Sequence, residues 1–186
     1  ITGIREIRSL GIKKNIENDV FRLHIPANSD SMEDQNVKIK VRDEILEKAK
    51  NENWFENCTD SENAAEKAEN YIDEIEETAD SVLKENGFNY VSKAEITKMH
   101  FDEKNYEDYT FPSGEYTAVR ITIGKGEGHN WWCVLYPNMC FRGAVYEVVD
   151  EEADEALREV LTPEEYADVF DSGKLEIRFK FLEYFR

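Results

Sequence analysis

The sequence predicts an α+β fold, with a mostly antiparallel sheet and about four helices in a single domain. Some segments alternate apolar and polar residues as strands do, and others repeat apolar residues at helical spacing. These two kinds of segment do not follow a strict β-α-β order, which favours α+β over α/β. A chain of 186 residues fits one domain and is long enough to bury a core without a metal or a disulfide.

The chain begins with a rough helical stripe of isoleucines among basic residues. We expect residues 1–18 to be an amphipathic segment that remains after removal of an export segment, and residues 19–186 to form the domain. The alternation from Val20 to Ile25, stopped by Pro26, predicts the first strand.

Two helices are predicted next. Ser31 is a helix-capping residue type, with Asp34 three positions later as in a capping box. The helix that follows has an apolar face formed by Val37, Val41, Ile45 and Ala49. Ser61 is expected to cap a second helix, which ends at Gly87.

The remaining scaffold is predicted from the same signals. Tyr90 to Phe101 is interpreted as a strand, Asp102 to Asp108 as an acidic loop, and residues 144–149 as a short strand or extension. Asp150 is expected to cap a brief helix. Thr162, followed by Pro163 and two glutamates, is a strong signal for the start of another helix, and residues 175–181 alternate as a final strand.

The stretch from Phe111 to Phe141 predicts a β-hairpin. Its first arm places Tyr116, Ala118, Arg120 and Thr122 on one face of the strand. Gly124, Gly126 and Gly128 are expected to form a flexible tip with positive φ angles. The returning arm contains Trp131 and Trp132, which must point to opposite faces. Either one indole is exposed as an anchor for a partner, or the sheet is covered on both faces.

Composition excludes some function classes. The net charge is -18, from 41 acidic and 23 basic residues, which repels phosphate backbones and excludes sequence-independent nucleic-acid binding. No apolar run approaches the ~20 residues of a membrane span. The glycine loop is followed by a strand and not by a helix N-terminus, so it is no phosphate cradle. The three histidines have no zinc-site spacing, and we expect no metal and no cofactor.

The cysteines leave two interpretations open. Cys133 and Cys140 can form a disulfide, worth ~2.5 kcal/mol by the chain-entropy estimate, or remain two buried thiols. His129 lies four residues before Cys133, which suggests a cysteine hydrolase of peptide or cell wall. The two residues would be ~13 Å apart on an extended strand, so another histidine would have to supply the base.

Several of these segments together resemble the family of stage II sporulation protein R from endospore-forming bacteria. The resemblance has three parts: the run ANSDS (Ala27–Ser31) with the following Asp34, Gln35, Lys38 and Val41-Arg42-Asp43, then FPSGEY (Phe111–Tyr116), and then the glycine-spaced tip leading into NWWCV (Asn130–Val134) with Pro137 and Cys140. It extends across residues 20–141 in matching order and separation.

The resemblance implies signalling without catalysis. Family members are secreted from the forespore into the space between two membranes, where they activate a membrane-embedded aspartic protease. That protease processes the pro-form of the early mother-cell sigma factor. An extracytoplasmic location also favours the Cys133–Cys140 disulfide. The alternative function is the cysteine hydrolase that uses Cys133.

We therefore expect two partner-binding regions and no catalytic residues. The first is the hairpin tip and its flank, and the second is the capping cluster, for which helix capping alone is an equally good explanation. The candidate residues are Glu115, Arg120, His129, Asn130, Trp131 and Trp132 in the first region and Asn28, Ser29, Asp30, Asp34 and Gln35 in the second.

Overall fold

A computed structural model describes residues 15–105, 110–137, 139–140 and 151–170. These residues form an α+β fold, as predicted. The strands are β1 (Phe21–Pro26), β2 (Ser92–Phe101), β3 (Lys104–Asn105), β4 (Thr110–Phe111), β5 (Gly114–Ile123) and β6 (Asn130–Tyr136). The helices are α1 (Met32–Asn51), α2 (Ser61–Glu69), α3 (Ile72–Glu85) and α4 (Glu151–Val160), and residues 15–19 and 163–170 are also helical.

The predicted β-hairpin is wrong, because β1 lies between its two arms. The main sheet has the order β2-β5-β1-β6, so β5 and β6 are not neighbours. Leu23 of β1 is opposite Val119 of the parallel strand β5 and opposite Cys133 of the antiparallel strand β6. The connection of residues 124–129 has to cross two strand spacings, about 10 Å, which a tight two-residue turn could not do.

The sheet is therefore mixed. Its two outer pairings, β2 with β5 and β1 with β6, are antiparallel, as expected for most of the sheet. The central pairing of β1 with β5 is parallel, and it was not predicted. All six residues of β1 are buried, which is typical of a central strand covered on both faces.

Apolar clusters lie on both faces of the sheet. The first face packs against α1, α2 and α3 through β-strand residues that include Phe21, Leu23, Ile25, Val119, Ile121 and Ile123. The second face packs against the N-terminal helical residues and the two C-terminal helices, through Tyr116, Ala118 and Val134 on the strands and Ile16, Leu157, Leu161 and Val169 on the helices. The predicted division of β5 into two faces is thus confirmed.

The second predicted helix is divided into α2 and α3. The break at Asn70 and Tyr71 comes with a tertiary contact, since the Tyr71 ring stacks on Trp54 with centroids 4.5 Å apart. The cap of α2 is Asp60 instead of Ser61: its carboxylate accepts a hydrogen bond from the Asn63 backbone N–H at 2.7 Å. The stacking of Tyr71 on Trp54 could not be predicted from the local sequence pattern.

The C-terminal start signal is confirmed. The Thr162 backbone N–H donates to the Glu165 carboxylate at 2.8 Å, and the Glu165 N–H donates back to the Thr162 hydroxyl at 3.4 Å. The acidic loop contains β3, which pairs with β4. The predicted segments at residues 1–14, 144–149 and 175–181 lie outside the described residues.

Candidate partner-binding site

The first candidate region is a polar turn, residues 28–31, that is organised around the Asp34 carboxylate. The Ser31 hydroxyl caps α1 by accepting from the Asp34 N–H at 3.1 Å. The Asp34 carboxylate accepts from Asn28 Nδ2 at 2.9 Å and Ser29 Oγ at 2.5 Å, and also from the Tyr90 hydroxyl. Burial alone would raise the pKa of Asp34, but these hydrogen bonds together lower it. Asp34 is therefore an ionised, buried acceptor that holds the turn together.

The glycine loop, residues 124–129, lies directly on this polar turn. The Lys125 N–H donates to Asn28 Oδ1 at 3.0 Å, and the Gly128 N–H donates to the Ala27 carbonyl at 2.9 Å. A Cβ at Gly124 would overlap the Asn28 side chain, and one at Gly128 would overlap the Ser29 carbonyl. Gly124 and Gly126 have the predicted positive φ angles, 56° and 66°, whereas Gly128 does not. The glycines are needed for close packing, so the expected flexible tip is a packed loop instead.

His129 completes the contact between the two segments, which we call the clasp (residues 28–31 with residues 124–129). Its backbone N–H and its Nδ1 lie 2.5 and 2.6 Å from Asp30 Oδ1. The buried Lys38 Nζ donates to the His129 carbonyl at 2.9 Å, and Gln35 Nε2 donates to the Ser29 carbonyl at 3.0 Å. The hydrogen bonds from His129 lower the pKa of Asp30. The two regions predicted separately are thus one surface.

Trp131 and Trp132 point to opposite faces of the sheet, as predicted. Trp131 packs on the first-face cluster, where the Arg42 guanidinium lies 4.2 Å from its ring centroid. Trp132 packs on the second-face cluster, with the Arg22 guanidinium 4.6 Å away. Both indoles are half-buried, so of the two alternatives the sheet covered on both faces is the one observed.

Arg120 and Glu115 lie away from the clasp. Glu115 is at the start of β5, eight residues before Ile123 and about 26 Å along the strand. At that end of β5, His100 Nδ1 lies 3.2 Å from the Glu115 carboxylate. Arg120 is in the second half of β5, on the second face of the sheet, beside His24 of β1. The structure therefore groups Asn28, Asp30, Gln35, His129 and Asn130, and it separates Glu115 from them.

Cys133 and Cys140 form a disulfide, with an S–S distance of 2.09 Å and Cα atoms 5.7 Å apart. This is one of the two interpretations that the sequence leaves open. The bond occupies the sulfur that the alternative cysteine hydrolase would use as its nucleophile. Cys58 is a free thiol, half-buried, and burial raises its pKa, which disfavours the thiolate.

Residues that the sequence reasoning missed also belong to this end of the molecule. Lys38 was not among the candidate site residues, although it is one of the residues of the family resemblance and lies one helical turn after Gln35, on the same side of α1. Met32 and Val91 are the only large apolar side chains that are strongly exposed among the described residues, at 75% and 66%. Met32 directly follows the capping Ser31, and the Val91 carbonyl accepts from the Gly124 N–H at 2.9 Å.

Two kinds of site are not found in the part of the chain that the structure describes. No three histidine, cysteine, aspartate or glutamate side chains there come together as a metal site would require. None of the helices in the same ranges combines the length and the apolar character needed to cross a bilayer.

Comparison with known proteins gives the family. The family described as Stage II sporulation protein R (spore_II_R) matches residues 17–146. The chain is also 36% identical over 143 residues to stage II sporulation protein R of Bacillus subtilis (strain 168), an alignment that covers 74% of this chain. This chain belongs to the stage II sporulation protein R family. No solved structure matches it.

Family membership gives the chain a role in sporulation and confirms the resemblance noted in the sequence. The matched residues include all of the main sheet, the clasp and the disulfide, whereas α4 lies outside the match. The alignment spans 63% of the length of the Bacillus subtilis relative, so that protein is longer than the part matched here.

Proposed function

We propose that this chain is a secreted intercompartmental signalling protein of sporulation. In this proposal it leaves the forespore, enters the space between the two membranes and activates a membrane-embedded aspartic protease. The protease then processes the pro-form of the early mother-cell sigma factor. Support comes from membership of the stage II sporulation protein R family. The Cys133–Cys140 disulfide also supports the location, because disulfides persist in oxidising compartments outside the cytosol.

The observation that carries the binding role is the exposure of apolar side chains beside the clasp. Met32 and Val91 expose most of their surface, although such residues usually pack inside. Asp30, His129 and Asn130 are exposed at the same end of the sheet. Exposed apolar residues rimmed by polar ones are typical of a protein–protein contact. A partner that binds one state of the protease better than another would shift its population towards that state.

The proposal is tested by co-expression of this chain, the protease and the pro-sigma substrate in a non-sporulating host, with cleavage measured by immunoblot. We expect Met32→Asp combined with Val91→Asp to reduce cleavage about tenfold or more, since buried apolar anchors are worth ~1–2 kcal/mol each. Both side chains are exposed, so circular dichroism should remain unchanged.

Glu115→Gln is the matched control, because Glu115 is exposed at the other end of β5. This variant should cleave normally. Equal loss in Glu115→Gln and in the double variant would contradict a surface centred on the clasp. Normal cleavage by the double variant would remove the clasp from the mechanism. Absence of cleavage by the unaltered chain, with all three proteins present, would contradict protease activation itself.

A further inference from the structure

A row of polar side chains crosses the second face of the sheet, on all four main strands. Backbone register places Glu95 of β2 opposite Arg120 of β5, Arg120 opposite His24 of β1, and His24 opposite Trp132 of β6. We call these four residues the transverse row. Neighbouring strands are about 4.8 Å apart, so the side chains of adjacent members are in reach of one another.

Arg120 has no anionic partner in the part of the chain that the structure describes. Its Nε–H is buried without a hydrogen bond, while the side chain as a whole remains half-buried. Glu95 is directly across the strand pair, but its carboxylate lies 3.7 Å from Lys93 Nζ.

His24 provides a second unpaired donor beside it. Asn130 Nδ2 lies 2.8 Å from His24 Nε2 and donates to it, so the proton of the neutral ring is on Nδ1. Nδ1 is buried and has no hydrogen-bond partner among the described residues, and His24 is 5% exposed. Burial and then the cations Arg120 and Arg22 lower the pKa of His24 to about 4. The ring is therefore neutral at pH 7, and its unpaired group is a donor.

These two unpaired groups are both donors, so the site lacks an acceptor. A carboxylate suits it, because its two oxygens match the planar fork of a guanidinium and accept from a neighbouring N–H. A phosphate group suits it less well. Phosphate sites are commonly built from helix N-termini or successive backbone N–H groups, and the unpaired donors of this row are on side chains.

We infer that the transverse row binds a carboxylate side chain, aspartate or glutamate, carried by a partner protein. Arg120 is the anchor, His24 donates the second hydrogen bond, and the half-buried Trp132 offers apolar surface to residues next to the carboxylate. A free carboxylate meets the repulsion of a chain with a net charge of -18, whereas a carboxylate on a docked partner has a high effective concentration.

The direct test is a titration of the full, isotope-labelled chain with sodium acetate at pH 7, against sodium chloride at the same ionic strength. The Arg120 Nε–H and His24 Nδ1–H resonances should shift together and saturate. Arg120→Gln should weaken binding about tenfold or more, as expected for loss of a charged hydrogen-bond donor. Glu95→Gln should tighten it about threefold, since it removes a negative charge across the strand pair that repels an incoming carboxylate.

Three results would overturn the inference. The first is the absence of a saturable shift in the unaltered chain, and the second is an unchanged shift in Arg120→Gln with a dispersed amide spectrum. The third is tighter binding of sulfate than of acetate, which would assign the row to another class of anion. If Arg120→Gln fails to fold, the tighter acetate binding expected of Glu95→Gln still tests the inference.

A peptide pair tests whether the carboxylate comes from a protein. Acetyl-Leu-Glu-Leu-amide should bind at least about tenfold more tightly than acetate, through contacts of its leucines with Trp132. Acetyl-Leu-Gln-Leu-amide should not bind, and equal affinity for the acidic peptide and acetate would contradict a protein ligand. The inference rests on the proposed function only in taking the partner to be a protein. These titrations do not contain the protease. They can therefore fail while the signalling proposal stands, and they can succeed while the signalling proposal fails.

Discussion

The clasp and the transverse row are both rich in polar side chains, but they differ in how their hydrogen bonds are used. In the clasp, the Asp34 carboxylate accepts from three side chains, and the His129 carbonyl accepts from two. In the transverse row, two buried N–H groups find no acceptor in the ranges that the structure describes. A satisfied cluster fixes the position of a surface, whereas unpaired buried donors are costly to leave without a ligand.

This difference separates two roles that the sequence could not distinguish. Buried residues of α1 that hydrogen-bond to the clasp, such as Asp34 and Lys38, hold its shape, and the exposed members of the clasp are free to contact a partner. In the transverse row His24 is buried and the other three members are half-buried, yet His24 and Arg120 retain donors for a ligand. A structural role of the clasp predicts large losses of unfolding free energy on substitution, and the unpaired donors of the row predict a smaller dependence of stability on pH.

The largest effect is expected from Asp34→Ala. This change leaves Asn28, Ser29 and Tyr90 without their common acceptor, and hydrogen bonds to a charged group contribute ~1.5–3 kcal/mol each. We expect the free energy of unfolding to fall by about 3–4 kcal/mol in urea denaturation. The control Glu33→Ala alters an exposed carboxylate in the same first turn of α1 and should cost about 0.5 kcal/mol. Equal stability of the two variants would show that the clasp does not depend on Asp34.

A smaller effect is expected from Gly128→Ala. The added Cβ would overlap the Ser29 backbone carbonyl, which cannot move as a flexible side chain would, so we expect a loss of about 2–3 kcal/mol. Gly87→Ala is the matched control, because Gly87 has a φ of 82° but open space around it. Its cost should be only the backbone strain of about 1 kcal/mol. A larger loss in Gly87→Ala would contradict the tight packing of the glycine loop, and amide exchange at His129 would locate the change.

Local signals in the sequence predicted most of the elements. The Ser31 and Thr162 caps, the apolar face of α1 and the two faces of β5 depend on residues a few positions apart, and all of them are present. The pairing of the strands depends on distant residues. Alternation shows that β5 and β6 are strands, but it contains no information that β1 inserts between them.

The same limit applies to the candidate site. The sequence identified the polar turn and the glycine loop as separate regions, because the contact that joins Lys125 to Asn28 spans 97 residues. Arg120 was expected beside the tip of a hairpin, and only the strand register places it next to His24. Glu115 was grouped with the tip for the same reason, although the length of β5 separates them.

The smallest effect is a pH dependence that belongs to the transverse row. The folded-state pKa of His24 is about 4, below its ordinary value of 6.5, so the unfolded state binds a proton first as the pH falls. Stability is therefore highest above pH 6.5 and decreases as the pH falls from 6.5 towards 4. After allowance for solvent screening, we expect a loss of about 1–2 kcal/mol. Asp30 and Asp34 have lowered pKa values, so the clasp should lose stability only at still lower pH.

Urea denaturation at pH 7 and pH 5 of the unaltered chain, His24→Asn and His129→Asn separates this contribution from other titrations. His24→Asn should lose part of the pH dependence, while His129→Asn, altered at an exposed histidine, should keep it. Acetate should reduce the dependence in the unaltered chain, because an anion beside His24 stabilises its protonated form and raises its pKa. An identical pH dependence in all three proteins would mean that His24 is protonated in the folded state as readily as in the unfolded state, which would contradict the lowering of its pKa by burial and by the two arginines.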